Sequence, residues 1–358
     1  MLKFKINKNI ISNNSKTYFI ADIGANHDGK LSRARKLIRL CAKAGANAAK
    51  FQHFKAETIV LGAGFNKIGK LDHQSKWKDS VYNVYKKASI NYSWTKDLVK
   101  ECKKYKIDFL TSPYDLDYVD QLDRYLPAYK IGSGDITWKK ILIKIAQKKK
   151  PVILASGAST LYETVKATKL LLKINKKVVL MQCNTNYTNS LDNFNHINLL
   201  ALQQFKKIFK ENIILGLSDH TSGHSTVLGA IALGAKVIEK HFTDDNNRIG
   251  PDHKFSMNFK TWSKMISDSR DLEKALGDGK KKIEKNEIKS AIIQRRGVWA
   301  KVNLKKNQIL KLEDLKFLRP CPKNSISPFE INMYIGKKLK KKISKDNIIS
   351  ESCLNLQS

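Results

Sequence analysis

GLSDHTSGHS (Gly216–Ser225) and VIEKHFTDD (Val237–Asp245) share one design: a short apolar run that breaks into a polar cluster carrying a histidine. A strand covered on both faces reads as a continuous apolar run, and its polar flank marks where the chain emerges. Outward from this pair the design recurs. Tyr18–Ile23, Ala48–Phe51, Asp108–Ser112, Ala128–Ile131, Val152–Ala155, Val178–Gln182, Ile213–Leu217 and Val237–Lys240 read as strands. Leu31–Ala44, Thr95–Tyr105 and Thr160–Lys173 lie between them with apolar spacing near 3.6, and Ser32, Thr95 and Ser159 are expected N-caps. Eight strand–helix units predict a (β/α)8 TIM barrel over residues 1–279. A doubly wound open sheet is the rival, but no GxGxxG follows the first strand.

The rhythm stops after Gly279. Residues 280–294 are charged and read as a linker, and 295–358 are short, turn-punctuated pieces that predict a small β-rich domain. The stretch from His53 to Ile90 is longer than an ordinary strand-to-helix loop and is a candidate lid.

The bulk composition narrows the class. The chain has 358 residues, 42% of them hydrophobic, enough for one large domain and a smaller one. No apolar run reaches the length of a membrane span, so no membrane partner is expected. The start, MLKFKINKNIISNNSK, lacks the apolar core of a signal peptide and reads as mature protein. Five cysteines without a CxxC pair suit a reducing cytoplasm rather than a disulfide framework. The net charge of +35 comes from lysine spread along the whole chain rather than from a basic patch interleaved with aromatics. It therefore reads as solvated surface that also draws in anions, not as a nucleic-acid interface.

In a barrel the active site forms at the C-terminal strand ends. Those ends carry Asp22, Lys50, Gln52, Thr111, Lys130, Ser133, Ser156, Thr185, Tyr187, Ser218, His220, Glu239 and His241, with Asp252 beyond in GPDH. Hydroxyls and glycine-flanked amides bind phosphate oxygens, and lysines supply point charge to phosphate or carboxylate. This ring predicts a small phosphorylated anion as ligand. His220 and His241 come from neighbouring strands, and two imidazoles with other positions open suit a catalytic Mn²⁺, Fe²⁺, Co²⁺ or Zn²⁺. Hydrogen-bonded rim histidines are the alternative. His27 and His53 read as loop anchors or sugar contacts, and His224 as structural.

The ordered motifs ADIGANHDG, AAKFQ, TSP, YKIGSGDI, ASGAS, GLSDHT, VIEKHFT and GPDHKFSM resemble the sialic acid synthase family of nonulosonate synthases. RRGVWA, LKFLRP and IGKKLKK resemble that family's C-terminal antifreeze-like domain. The resemblance implies that phosphoenolpyruvate condenses with the open-chain aldehyde of an N-acylmannosamine-type sugar. The products would be a nine-carbon 2-keto acid and phosphate, formed by C–O cleavage. It implies His220 and His241 as metal ligands, Mn²⁺ foremost. Lys50, Thr111, Lys130, Ser133, Ser156, Thr185 and Ser218 would hold phosphoenolpyruvate. Asp22, Gln52, Tyr187 and Asp252 would hold the sugar. It further implies a domain-swapped homodimer in which Arg319 reaches the partner's barrel. Activity should then fall as the histidines protonate. The family usually has Glu at Asp22, Asn or Ser at Thr185 and Pro at Thr188, and a Gly-rich turn where this chain has RPCPK after Arg319. N-acetylneuraminate-type synthesis is the first expectation. Legionaminate or pseudaminate synthesis from a diacetamido hexose stands beside it. A sugar-phosphate aldol synthase would need an added arginine-rich site, and the strand ends offer little arginine.

Overall fold

The structure, a computed structural model, describes residues 2–356 apart from 70, 72, 73 and 76. The chain divides into two compact units, Met1–Gly277 and Asp278–Ser358.

The first unit opens with a hairpin of β1 (Lys3–Ile6) and β2 (Asn9–Ser12), which the apolar rhythm does not announce. Eight strands then follow: β3 (Tyr18–Asp22), β4 (Ala48–His53), β5 (Asp108–Pro113), β6 (Tyr129–Ile131), β7 (Val152–Ala155), β8 (Val178–Cys183), β9 (Ile214–Asp219) and β10 (Val237–His241). They form one parallel sheet in the order β5-β4-β3-β10-β9-β8-β7-β6. The two ends of that order, β5 and β6, are consecutive in sequence and lie beside each other without a ladder. The result is a nearly closed TIM-like barrel. Each expected strand is present within one or two residues of its predicted bounds.

The expected N-caps are each displaced. The helix Leu31–Lys43 starts before Ser32, with Lys30 as cap. Thr95 is the first residue of Thr95–Lys104, where its hydroxyl donates back to the Tyr92 carbonyl at 2.7 Å. Thr160 rather than Ser159 caps Leu161–Ile174, because Glu163 three residues on closes a capping box with it.

Strand alternation divides the core in two. Ile20, Ala48, Leu110, Ala128, Ile153, Val179, Ile214 and Val237 point into the barrel. Phe4, Ile6 and Ile11 of the hairpin join them, so the hairpin stops the end opposite the strand termini. Phe19, Phe51, Phe109, Tyr129, Leu154, Leu215 and Ile238 point outward under the helices. Asn7 and Asn9 donate to the Asp108 carboxylate at 2.7 and 2.9 Å, and Tyr18 donates to it at 2.7 Å, which ties the hairpin to the barrel.

One buried ion pair sits in the outer layer. Lys240 bonds Asp219 and donates to the Thr221 carbonyl at 2.7 Å. Thr226 and Thr221 donate their hydroxyls to the same carboxylate at 2.7 and 2.9 Å. Lys240 holds the Asp219 carboxyl below its ordinary range although burial opposes this. Every charge is thus met, as burial requires.

The second unit is less regular than its expected β-rich form. β11 (Gly297–Ala300) and β12 (Leu315–Leu318) make an antiparallel pair, and isolated bridges and short 3-10 turns complete it around Val298, Leu304, Leu310, Leu339 and Leu354. The expected linker contains a helix, Ile288–Gln294, whose apolar Ile288 and Ile292 recur at helical spacing within a charged neighbourhood. No helix among the described residues is long and apolar enough to cross a membrane.

Candidate active site

Alternation along the strands decides which side chains reach the barrel mouth. The residues two and four positions after the inner-core residues project into the same space nearer the C-terminal end. Asp22, Lys50, Lys130, Ser218, Glu239 and His241 are the result, and they line a cavity of about 400 Å³. Parallel register sets their neighbours: Asp22 lies beside Lys50 and His241, and Glu239 beside Ser218.

Two carboxylates knit the two lysines. Lys50 Nζ is 2.7 Å from Asp22 and 3.9 Å from Glu239, and Lys130 Nζ is 3.0 Å from Glu239. Gln52 donates to Asp22 at 3.2 Å and Ser218 donates to Glu239 at 3.1 Å. Burial works to raise the Asp22 carboxyl, but Lys50 and then His241 hold it well below the carboxylate range. Lys130 and Lys50 lower the Glu239 carboxyl against the opposing effect of burial. Glu239 is the functional residue that the motifs left unassigned. Its signal was present in VIEKH, where it stands two places before His241 and so faces the same way.

His220 and His241 come together with ring centroids 5.5 Å apart. His220 Nδ1 is 2.7 Å from the Asn184 carbonyl, a contact that requires N–H there and puts the lone pair of the neutral ring on Nε2. His241 Nε2 is 3.4 Å from Asp22, and Nδ1 is buried without a hydrogen bond, 3.7 Å from the Asp252 carboxylate. Burial is the main influence on both rings. It lowers His241, whereas the Cys183 thiol and the Asn184 carbonyl raise His220 above its ordinary value. An orphaned buried nitrogen beside a ring of fixed tautomer fits a divalent cation. Among the described residues no group of three or more His, Cys, Asp or Glu side chains is disposed as a ligand set. The two imidazoles would therefore leave the other positions to water or substrate oxygens, as catalytic sites do.

Gly24 makes this approach feasible. Its φ is +48°, and a Cβ there would stand 2.5 Å from Asp252 Oδ2 and 3.0 Å from the His241 ring. Asp252 also accepts from the Ala25 amide at 2.8 Å. Gly157 does the same for the opposite wall, where a Cβ would meet Thr185 at 2.5 Å and the Ser133 hydroxyl at 2.8 Å.

The remaining expected residues divide. Gln52, Ser133 and Tyr187 line the cavity, and Tyr187 packs edge-on against His220 with centroids 4.5 Å apart. Ser133 accepts from the Gly157 amide at 3.0 Å. Ser156 lies behind the wall, its hydroxyl donated to the Met181 carbonyl at 2.9 Å, and Thr185 is not among the lining residues. Arg319 is exposed on the second unit. From the long segment after β4, Phe54, Ile59, Trp77, Val84, Tyr85 and Ala88 form an apolar wall.

Thr111 corrects the sequence reading. It points outward, 2.8 Å from His53 Nδ1, and His53 Nε2 meets Thr95 at 3.0 Å. Ser112 points inward beside Gln52 in register, and its hydroxyl is buried with no partner among the described residues. A shift of one residue reverses the face. Accordingly, Ser112→Ala should raise the KM for the anionic substrate about tenfold, the worth of one hydrogen bond to a charged group. Thr111→Val should leave that KM unchanged and lower the melting temperature instead. Steady-state kinetics on both variants would decide, and the opposite pattern would restore Thr111.

His27, His53, His224 and His253 are anchors. His253 bridges Thr243 and Asp28 at 2.8 Å each, and His224 lies 2.7 Å from Asp268. Burial pushes His27 down to about 4 and His53 to about 3. In the unfolded chain both would take a proton near pH 6.5. As pH falls from 6.5 toward 4 the unfolded state gains protons that the folded state refuses, so stability drops. The urea midpoint should decline from pH 7 to pH 5, with a shallower decline in His53→Gln. An unchanged slope in that variant would remove His53 from the account.

Residues 37–281 match the NeuB family, and residues 295–355 match the SAF domain. The chain is 38% identical to the N,N'-diacetyllegionaminic acid synthase of Campylobacter jejuni, over 94% of this chain and 99% of that protein. It is 31% identical to a pseudaminic acid synthase of the same species, over 94% of this chain and 96% of that one. Among solved structures, the N-acetylneuraminic acid synthetase of Leptospira borgpetersenii superposes with a TM-score of 0.69 at 28% identity. That match covers 81% of this chain and 95% of the other.

Proposed function

The chain belongs to the NeuB family, and on that premise we propose that it is a nonulosonate synthase of the 2.5.1 transferase class. It joins phosphoenolpyruvate to an N-acylated mannosamine-type aldehyde and releases phosphate by C–O cleavage. The observation that carries this reading is the meeting of Lys50 and Lys130 with the His220–His241 pair in one cavity. The 38% identity to a diacetyllegionaminic acid synthase favours, as a second reading, a diacetamido hexose over N-acetylmannosamine as the acceptor.

The residues divide the work by charge. Lys50 and Lys130 hold the carboxylate and phosphate of phosphoenolpyruvate, with Ser133, Ser218 and the inward Ser112 supplying hydroxyls. Gln52, Tyr187, Asp22 and Asp252 hold the acceptor with its aldehyde toward the histidines. A divalent cation such as Mn²⁺, held by His220 and His241, would polarise that aldehyde as a Lewis acid. C3 of phosphoenolpyruvate then attacks the aldehyde carbon, positive charge develops at C2, and water adds there. Fixing both reactants in this register supplies much of the rate.

Charge counting supports two further parts of the reading. Among the described residues the cavity is lined by the carboxylates of Asp22, Asp135, Glu239 and Asp252 and by the lysines Lys50 and Lys130. A polyanionic substrate needs more positive charge than that. The cation would supply part. Arg319, reaching from the second unit of a partner subunit in a homodimer, would supply the rest.

The test is phosphate release from phosphoenolpyruvate after chelation, with and without Mn²⁺, using N-acetylmannosamine and diacetamido hexoses. Release should require both metal and sugar. Mixing inactive His220→Ala and Arg319→Ala chains should restore part of the rate, because a mixed dimer has one intact site. No release with any sugar or metal would sink the synthase reading. Failure of complementation would sink the swapped dimer.

A further inference from the structure

The cavity holds a carboxylate that the account above leaves unused. Asp135 closes the 3-10 turn Ser133–Asp135 that follows β6, and its side chain lines the cavity. The other three lining carboxylates are committed: Asp22 to Lys50 and Gln52, Glu239 to Lys130 and Ser218, Asp252 to the Ala25 amide. The Asp135 carboxylate makes no hydrogen bond or ion pair among the described residues. Its turn is held instead through the backbone, by Asp135 N–H to the Gly132 carbonyl at 3.1 Å and Trp138 N–H to its own carbonyl at 2.9 Å. A half-buried carboxylate with free lone pairs has its partner in the ligand or in ligand-site water.

The reaction needs such a group. Water that adds at C2 must lose a proton, and departing phosphate must gain one. Asp22 and Glu239 are held as anions by lysines, which makes them weak bases. We propose that Asp135 is the general base that accepts the proton of the water adding at C2 and returns it to the departing phosphate. This rests on the synthase reading. The balance is as follows. The water oxygen bonds to C2 while one proton passes to the Asp135 carboxylate. The C2–O bond to phosphate then breaks, its electron pair leaves with phosphate, and Asp135 gives that oxygen the proton. The C2 hydroxyl becomes the keto group, and its proton goes to the alkoxide formed from the aldehyde. Asp135 ends as it began.

The turn suits the task. Ser133, two residues earlier, also lines the cavity and would hold phosphoenolpyruvate, so a carboxylate on the same turn stands beside that substrate. Burial with no compensating cation pushes the Asp135 carboxyl up to about 6. A base of that strength is ionised at neutral pH yet can return its proton. The titratable lining group whose charge couples to Asp135 is Tyr114 of the loop after β5. Tyr114 is raised well above its ordinary value by burial and stays neutral.

The test uses the full-length metal-loaded protein and the variants Asp135→Asn and Asp135→Glu. In Asp135→Asn, kcat should fall on the order of 10²-fold or more. The KM for phosphoenolpyruvate should stay within threefold of wild type (an order-of-magnitude criterion). Asp135→Glu should recover part of the rate. Two outcomes would overturn the proposal: an unchanged kcat, or a loss confined to KM. If wild type releases no phosphate with any amino sugar, the synthase reading itself has failed, and that is seen before a variant is tested.

Discussion

His220→Ala is expected to lower phosphate release on the order of 10³-fold or more, the scale of losing several kcal/mol of charge stabilisation. His220 stands just past β9, held by the Asn184 carbonyl at 2.7 Å, with His241 across from it. Removing one imidazole leaves the other unable to hold a cation alone, so the loss should come with loss of bound metal. The variant should keep its fold, since His220 packs at the cavity wall rather than in either core cluster. The check is kcat together with metal content and circular dichroism. A variant that keeps a tenth of the rate, or its metal, would reduce the pair to rim histidines.

Lys240→Met is expected to cost about 3–5 kcal/mol of stability, the scale for stranding one charge of a buried pair. Asp219 would keep the hydroxyls of Thr221 and Thr226 but lose the Lys240 ammonium in a layer buried between sheet and helix. Replacing both partners, as Lys240→Met with Asp219→Leu, should recover much of the loss, because no charge is then left buried. Lys50→Met should cost less stability and more activity, since Asp22 there borders the cavity and retains Gln52 and the Gly24 amide. Urea unfolding of the four proteins settles this. Equal losses for Lys240→Met and Lys50→Met would show that the outer pair is no special anchor.

These two lysines show where the sequence stops being readable. Both lie inside apolar strands, in AAKFQ and VIEKH, and the local patterns are alike. Lys50 faces the barrel and Lys240 faces the helices, a distinction that comes from register. Thr111 and Ser112 differ in the same way. In a half-buried strand, polarity marks the outer face. Here both faces are buried, and the alternation leaves no trace in composition. The N-terminal hairpin escaped for another reason. Its two strands are four residues each, and their apolar residues gain meaning only as a stopper for the barrel.

The sequence by itself determined the eight-strand rhythm, the polar ends of the strands, and the family through an ordered series of motifs. Each is a local property, carried by apolar run length and by residue type at a fixed place in the chain. The tertiary structure alone decided which of two adjacent polar residues enters the cavity and that Glu239 bridges the two lysines. It also decided that Asp135 has no side-chain partner among the described residues. Those facts arise between strands distant in sequence, where parallel register and barrel closure set neighbours that no local pattern encodes.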